Sequence, residues 1–271
     1  MFYNEIINEL MQDKKNPVNS MYLHEINIKW KNFEKFIEEK KGSNKEMLAA
    51  LNNFISNISN PKYIYNPSTR NGFKADSPIF SSRYLDDMIS IIMKRNKIIE
   101  NKGIIWGFQN FSTNLKFNPQ NLSSLEKNPM FEQDYTEKVL SLTQKMDFQF
   151  RVSGKRNFHK YEIIFPLIIF NTFKNLTEED FIKVEYTSAL AKGCFERSKS
   201  IIICETLDRK FIPSLKSSAV DDIFILRKQF KSSKLSDLSL EVINALEEHI
   251  NEYISQTEKK DETFLNTGVI H

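Results

Sequence analysis

A chain of 271 residues with 40% hydrophobic and 27% charged residues can bury a full apolar core and belongs to the globular class. Only 7 glycines are present, and no G-x-G-x-x-G or Walker run occurs, which excludes the glycine-loop nucleotide-binding folds. Two cysteines, Cys194 and Cys204, are too few for a disulfide scaffold or a cysteine zinc site, and a net charge of +3 permits nucleic-acid binding without demanding it.

The N-terminus lacks the basic-then-apolar pattern of a secretory signal, and no apolar run approaches the roughly 18 residues that span a bilayer. A soluble, cytoplasmic protein with no membrane partner is expected, its cysteines reduced and in the core.

In chain order, Glu5–Met11 reads as a short amphipathic helix. Met21–Lys40 follows, with Leu23, Ile26, Trp30, Phe33 and Ile37 at helical spacing. Gly42-Ser43-Asn44 breaks the pattern, and Ser43 or Asn44 can cap a helix over Lys45–Ile58. A loop runs from Asn60-Pro61 to Ser77-Pro78, with a strong turn at Pro67–Gly72. Helix returns over Ser82–Lys97, with Asp86 and Asp87 in its first turns, where carboxylates also suit the helix dipole.

Lys102–Phe117 reads as irregular strand and Asn118–Asn128 as loop. Tyr135–Lys145 fits a short helix or an extended lead into a strand at Met146–Val152. A basic turn and a second strand, Tyr161–Lys174, follow. Thr177-Glu178-Glu179-Asp180 opens a helix that reaches about Glu196, with Phe181, Val184, Ala191, Cys194 and Phe195 able to face a sheet. Ile201–Cys204 and Ile223–Leu226 are short apolar strands, the former of the kind buried on both faces. Leu235–Ser255 is a final amphipathic helix, with Leu238, Val242, Leu246 and Ile250 on its stripe, and the residues after Gln256 read as loose. The order implies an α/β fold, a mixed central sheet flanked by helices. The expected organisation is an N-terminal helical region at 1–75, an α/β core at 76–255 and a flexible tail at 256–271.

The chemistry concentrates between Met146 and Lys174. Phosphodiester hydrolysis needs a hard divalent cation on the phosphate, an activated water and a stabilised leaving oxygen. Magnesium takes oxygen ligands from one or two carboxylates, and a lysine beside the water stabilises developing negative charge. An Asp on one strand and an acid-x-Lys on its neighbour deliver these groups, because residues i and i+2 of a strand share a face. Asp147 suits the first position. The second strand ends Asn171-Thr172-Phe173-Lys174, where a β-bulge would bring Lys174 to the face of Asn171. Asp86, Asp87, Glu178 and Glu179 are the nearby acids that could add charge. Lys155, Arg156, His159 and Lys160 form a basic hairpin tip suited to phosphate contact. The four histidines show no zinc spacing, and no G-x-S-x-G elbow is present.

Phe80–Asp87, Lys145–Phe148, Pro166–Phe170 with Lys174–Thr177, and Asp221–Lys228, by their serial order and spacing along the chain, resemble the core of type II restriction endonucleases with the PD-(D/E)XK fold. The resemblance covers about Phe80 to Lys228. It implies a restriction-endonuclease-like core and site-specific cleavage of double-stranded DNA with Mg2+. It also implies a homodimer or a heterodimer with a related subunit, as part of a restriction-modification system. By position it makes Asp147 the metal ligand and Asp86 or Asp87 the accessory acid, while the family's catalytic acid and lysine fall on Asn171 and Phe173. Catalysis is assigned to Asp147, Lys174 and Asn171, metal binding to Asp147, Asp86 and Asp87, and base readout to the loops Tyr63–Lys74 and Phe108–Pro129. The alternative is a catalytically weakened DNA-recognition or partner subunit that keeps the nuclease fold; a third reading is an unrelated α/β protein.

Overall fold

The structure, a computed structural model, describes residues 2–12, 17–40, 43–117, 131–135, 137–150 and 159–267. The chain forms two compact units, residues 1–98 with 225–271, and residues 99–224. The expected boundary at residue 75 falls inside the first of them.

The first unit is helical: α1 (Phe2–Gln12), α2 (Pro17–Lys40), α3 (Asn44–Ile58), α4 (Arg83–Arg95) and α7 (Leu240–Thr267). Helix α2 begins earlier than its apolar stripe because Pro17, with its fixed φ and missing N–H, opens it at no cost. Ser43 caps α3, and its backbone N–H donates to the Glu46 carboxylate at 3.0 Å. The core is aromatic. Tyr3 packs on Trp30, Phe54 and Tyr84 with ring centroids 4.7, 5.4 and 6.2 Å away. Tyr3 and Trp30 are fully buried, each burial stabilising by roughly 2–3 kcal/mol.

Helix α7 corrects the sequence reading at both ends. It starts at Leu240 and continues to Thr267, through a segment rich in Lys and Glu that holds no Pro or Gly to stop it. Its buried stripe holds Ile243, Leu246, Ile250 and Ile254, with Val242 only half-buried.

The second unit holds α5 (Lys97–Asn101, at the junction), α6 (Glu178–Cys194) and the strands β1 (Ile105–Gln109), β2 (Ser112–Phe117), β3 (Phe131–Tyr135), β4 (Val139–Phe150), β5 (His159–Leu176), β6 (Lys199–Leu207) and β7 (Asp222–Ile225). Five strands form one mixed sheet in the order β1-β4-β5-β6-β7, and β2 pairs with β3 separately. β1, β4 and β5 run antiparallel; α6 then crosses over so that β6 lies parallel to β5. The α/β sheet with flanking helices is the expected fold class.

Most of the ambiguous Tyr135–Lys145 segment is strand: Tyr135 ends β3, and Val139–Lys145 belongs to β4. Thr177 caps α6 by accepting the Asp180 N–H, and Phe181, Val184, Ser188 and Ala191 form its buried face. Ile201 through Leu207 are all buried, as a central strand requires. Among the described residues, no helix is long and apolar enough to cross a membrane.

Candidate active site

β4 and β5 form a long antiparallel hairpin in which Asp147 stands opposite Glu162, and Leu140 opposite Phe170. Asn171 therefore lies nine residues further along β5 than the partner of Asp147, about 30 Å at a strand rise of about 3.3 Å per residue. Lys174 lies further still. The structure does not bring Asp147 to Asn171 or Lys174. The physical reason is the start of β4: Asp147 does not open its strand but sits late in it, so antiparallel pairing sends it toward the hairpin tip.

Asn171 and Lys174 are also separated from one another. The β5–β6 register runs from Ile168 opposite Lys199 to Leu176 opposite Leu207 without a shift, so the bulge that would align these residues is absent. Side-chain alternation then puts them on opposite faces. Ser188 of α6 bonds Ser200 of β6 at 2.6 Å, and Ile169 packs with Ala191, which fixes the α6 face of the sheet. Asn171 and Phe173 belong to that face. Thr172 and Lys174 belong to the other.

The two acids of α4 have local partners. Asp87 is fully buried, and its carboxylate accepts the backbone N–H groups of Phe2 at 2.7 Å and Tyr3 at 2.9 Å. It thereby satisfies the first turn of α1. Burial raises its pKa to about 6, against those two hydrogen bonds, which work to lower it. Asp86 accepts from Arg83 at 3.1 Å. Glu179 is paired with Lys183 on exposed helix surface. Lys155 and Arg156 lie outside the described residues, and His159 and Lys160 open β5 opposite Phe150 and Gln149.

A different pair meets at the far end of β5. Lys174 falls between the register pairs Phe173–Cys204 and Asn175–Thr206, which makes Glu205 its neighbour on β6, about 4.8 Å away along the backbone hydrogen-bonding direction. Glu205 is 1% exposed, Lys174 is exposed, and both occupy the face away from α6 together with Thr172. Thr172-Phe173-Lys174 is thus the i, i+2 pair, with a hydroxyl in the acid's place. Lys138 and Glu137 lead into β4 at this same end of the hairpin. Glu205 went unnoticed in the sequence, although a readable signal was present: one acid closing the otherwise apolar run Ile201–Cys204 at the C-terminal end of a parallel strand.

The opposite end of β6 is tied down by Asp221. Its carboxylate takes Lys192 at 2.8 Å, Lys199 at 2.7 Å and the Ser200 N–H at 2.8 Å. Burial works to raise its pKa, but these hydrogen bonds outweigh it and hold the group below the ordinary carboxylate value. Burial pushes the Cys204 thiol up to about 12, so this sulfur is a core atom rather than a nucleophile. Among the described residues, no three His, Cys, Asp or Glu side chains gather in a metal-binding group. Thr172 and Glu205 supply hard oxygen donors on one face, and Glu205 provides a carboxylate of the one or two that Mg2+ takes.

No family model matches the chain, and no curated protein matches its sequence. Its structure is similar to a chain of the structure described as "native BbvCI A2B2 tetramer at low resolution", with a TM-score of 0.62 and 14% identity over 94% of this chain and 96% of that one. The likeness shows the fold alone, an α/β architecture with a mixed central sheet.

Proposed function

We propose that this chain is a type II restriction endonuclease, or one subunit of it, that hydrolyses phosphodiester bonds of double-stranded DNA at a specific site with Mg2+. The observation that supports this most is the pairing of Lys174 with buried Glu205 on one sheet face, in a fold like that of the BbvCI chain. Glu205 would hold the Mg2+, which as a Lewis acid would polarise the scissile phosphate. The Lys174 ammonium orients the attacking water and stabilises charge building on the phosphate oxygens. The Thr172 hydroxyl, two residues before it on the same face, is placed to hydrogen-bond that water. Asp147 lies too far along the hairpin to share this site, and Asp87 has its oxygens on the α1 N–H groups.

Cutting both strands takes two such centres, so the working form is a homodimer or a heterodimer with a related subunit. The A2B2 arrangement of the similar BbvCI chain supports that reading. The test is nicking and linearisation of plasmid DNA by the full chain with Mg2+ or EDTA. Metal-dependent cleavage lost in Lys174→Ala supports the proposal; metal-independent cleavage, or cleavage untouched by the substitution, contradicts it.

One observation favours a second reading. Asn171 and Phe173 stand where the resemblance calls for an acid and a lysine, and Thr172 is neutral. A partner subunit that binds DNA and leaves the chemistry to a sister chain would show salt-sensitive duplex binding without nicking.

A further inference from the structure

We infer that the exposed tip from Asn66 to Asn71 is a preformed DNA-reading element, and that Arg70 is its specificity-determining residue, reading a guanine edge. This deepens the nuclease reading and rests on it.

The base of the tip is fixed in the first unit. Tyr63 is fully buried and packs edge-on against Tyr22 at 5.5 Å, and Phe73 packs against Phe80. Between them the chain is held by its own backbone. Tyr65 N–H donates to Phe73 O at 2.9 Å, Phe73 N–H to Tyr63 O at 2.7 Å, and Asn66 N–H to Asn71 O at 2.8 Å. Asn19 of α2 clamps Gly72 from both sides, accepting its N–H at 2.9 Å and donating to its carbonyl at 3.2 Å. Gly72 has φ +94°, and a Cβ there would meet the Ile64 carbonyl oxygen at 2.5 Å, so no other residue fits.

This rigid stem presents a tip that is almost wholly in solvent. Residues 64–70 are all exposed. Loops so heavily bonded and so exposed carry function more often than packing. Residues 63–75 contain Arg70 and Lys74 and no acid, with Asn66, Ser68, Thr69 and Asn71 as further hydrogen-bonding groups. That is the composition of a duplex-contacting loop, with a cation for the phosphates and a fork for base edges.

Arg70 is singled out by its backbone. It holds φ 56°, in the left-handed region that disfavours every side chain except Gly and, less strongly, Asn or Asp. Its N–H donates to Asn66 O at 2.8 Å, which closes the turn. The backbone here would sit more easily with glycine, so an arginine at the apex is explained by what its guanidinium does. A planar fork of donors matches the O6 and N7 acceptors of guanine in the major groove.

The test is selection of bound sequences from a randomised duplex library in EDTA, with the full chain and its R70G and R70K variants, alongside thermal melting. The wild type should enrich a defined motif. R70G should melt no lower than the wild type and lose roughly tenfold to a hundredfold discrimination at one or more G·C positions. R70K, which keeps the charge without the fork, should bind as strongly and discriminate almost as poorly. If R70G enriches the same motif with the same preference, the inference falls and the nuclease reading stands. If R70G melts several degrees lower, Arg70 holds the loop rather than reads DNA, and the inference falls. If the wild type enriches nothing, Arg70 reads no base edge and the inference falls, while the nuclease reading is decided by the plasmid cleavage above.

Discussion

Asp87 offers a test in which charge, burial and helix capping can be separated. Its folded pKa of about 6 stands above the ordinary carboxylate value of 3.8 because burial disfavours the ionised form more than the Phe2 and Tyr3 N–H groups favour it. A raised pKa means that the contribution to stability is complete below the unfolded value and is lost as pH rises through about 6. A shift of about two units corresponds to about 3 kcal/mol across that window. Asp87→Asn removes the titration and keeps one acceptor for the α1 N–H groups. Urea unfolding of both proteins at pH 4, 5, 6 and 7 isolates the effect, since the other carboxylates titrate in both. The wild type should lose ground to Asp87→Asn steadily between pH 4 and 7, by up to about 3 kcal/mol. Asp87→Ala, which strands both N–H groups, should lie about 2–4 kcal/mol below Asp87→Asn at every pH. A wild-type advantage that is flat with pH, or that grows as pH rises, would refute the reasoning.

Asp221→Ala removes the anchor of Lys192, Lys199 and the Ser200 N–H, and should cost about 2–4 kcal/mol at pH 7 by urea unfolding. Because the Asp221 pKa is lowered, its contribution is present above the ordinary carboxylate value and is lost as pH falls through the lowered one, opposite in sign to that of Asp87; an Asp221→Ala penalty that does not shrink between pH 7 and pH 2 would contradict this. Gly72→Ala forces a Cβ against the Ile64 carbonyl and should open the 63–73 loop to proteolysis, while α3 keeps its hydrogen-exchange protection. Cys204 should resist alkylation at pH 8 in the folded chain and react once it is unfolded, as read by peptide mass mapping; rapid native alkylation would show that the β6 core is open.

How much of this was legible in the sequence follows from the range of the interactions involved. The helices of the first unit were readable because their apolar stripes repeat locally, as Leu23, Ile26, Trp30, Phe33 and Ile37 do. The crossover between β5 and β6 was readable because a capped helix separates two apolar runs. The strand register was not. Whether Asp147 opens its strand or ends near the tip depends on where β4 begins, and the residues from Val139 to Lys145 carry no pattern that fixes it. In an antiparallel hairpin a residue near the turn pairs with one near the turn, so Asp147 stands opposite Glu162 and far from Lys174 at the other end of β5. Asp86 and Asp87 read equally well as ligands or as helix acids, and only the fold shows that Asp87 caps α1. Glu205 was hidden for the opposite reason: its significance comes from Lys174, thirty-one residues earlier, brought beside it by a parallel pairing that no local pattern reports.

The most direct test of the site is the single-turnover rate of Mg2+-dependent DNA cleavage by Lys174→Ala, Glu205→Gln and Asp147→Ala, compared under identical conditions with duplex binding measured in parallel. Cleavage should fall about a hundredfold or more in Lys174→Ala and Glu205→Gln with binding retained, and stay within about threefold in Asp147→Ala. Cleavage abolished in Asp147→Ala and preserved in the other two would move the chemistry back to the hairpin tip and contradict the pairing of Lys174 with Glu205.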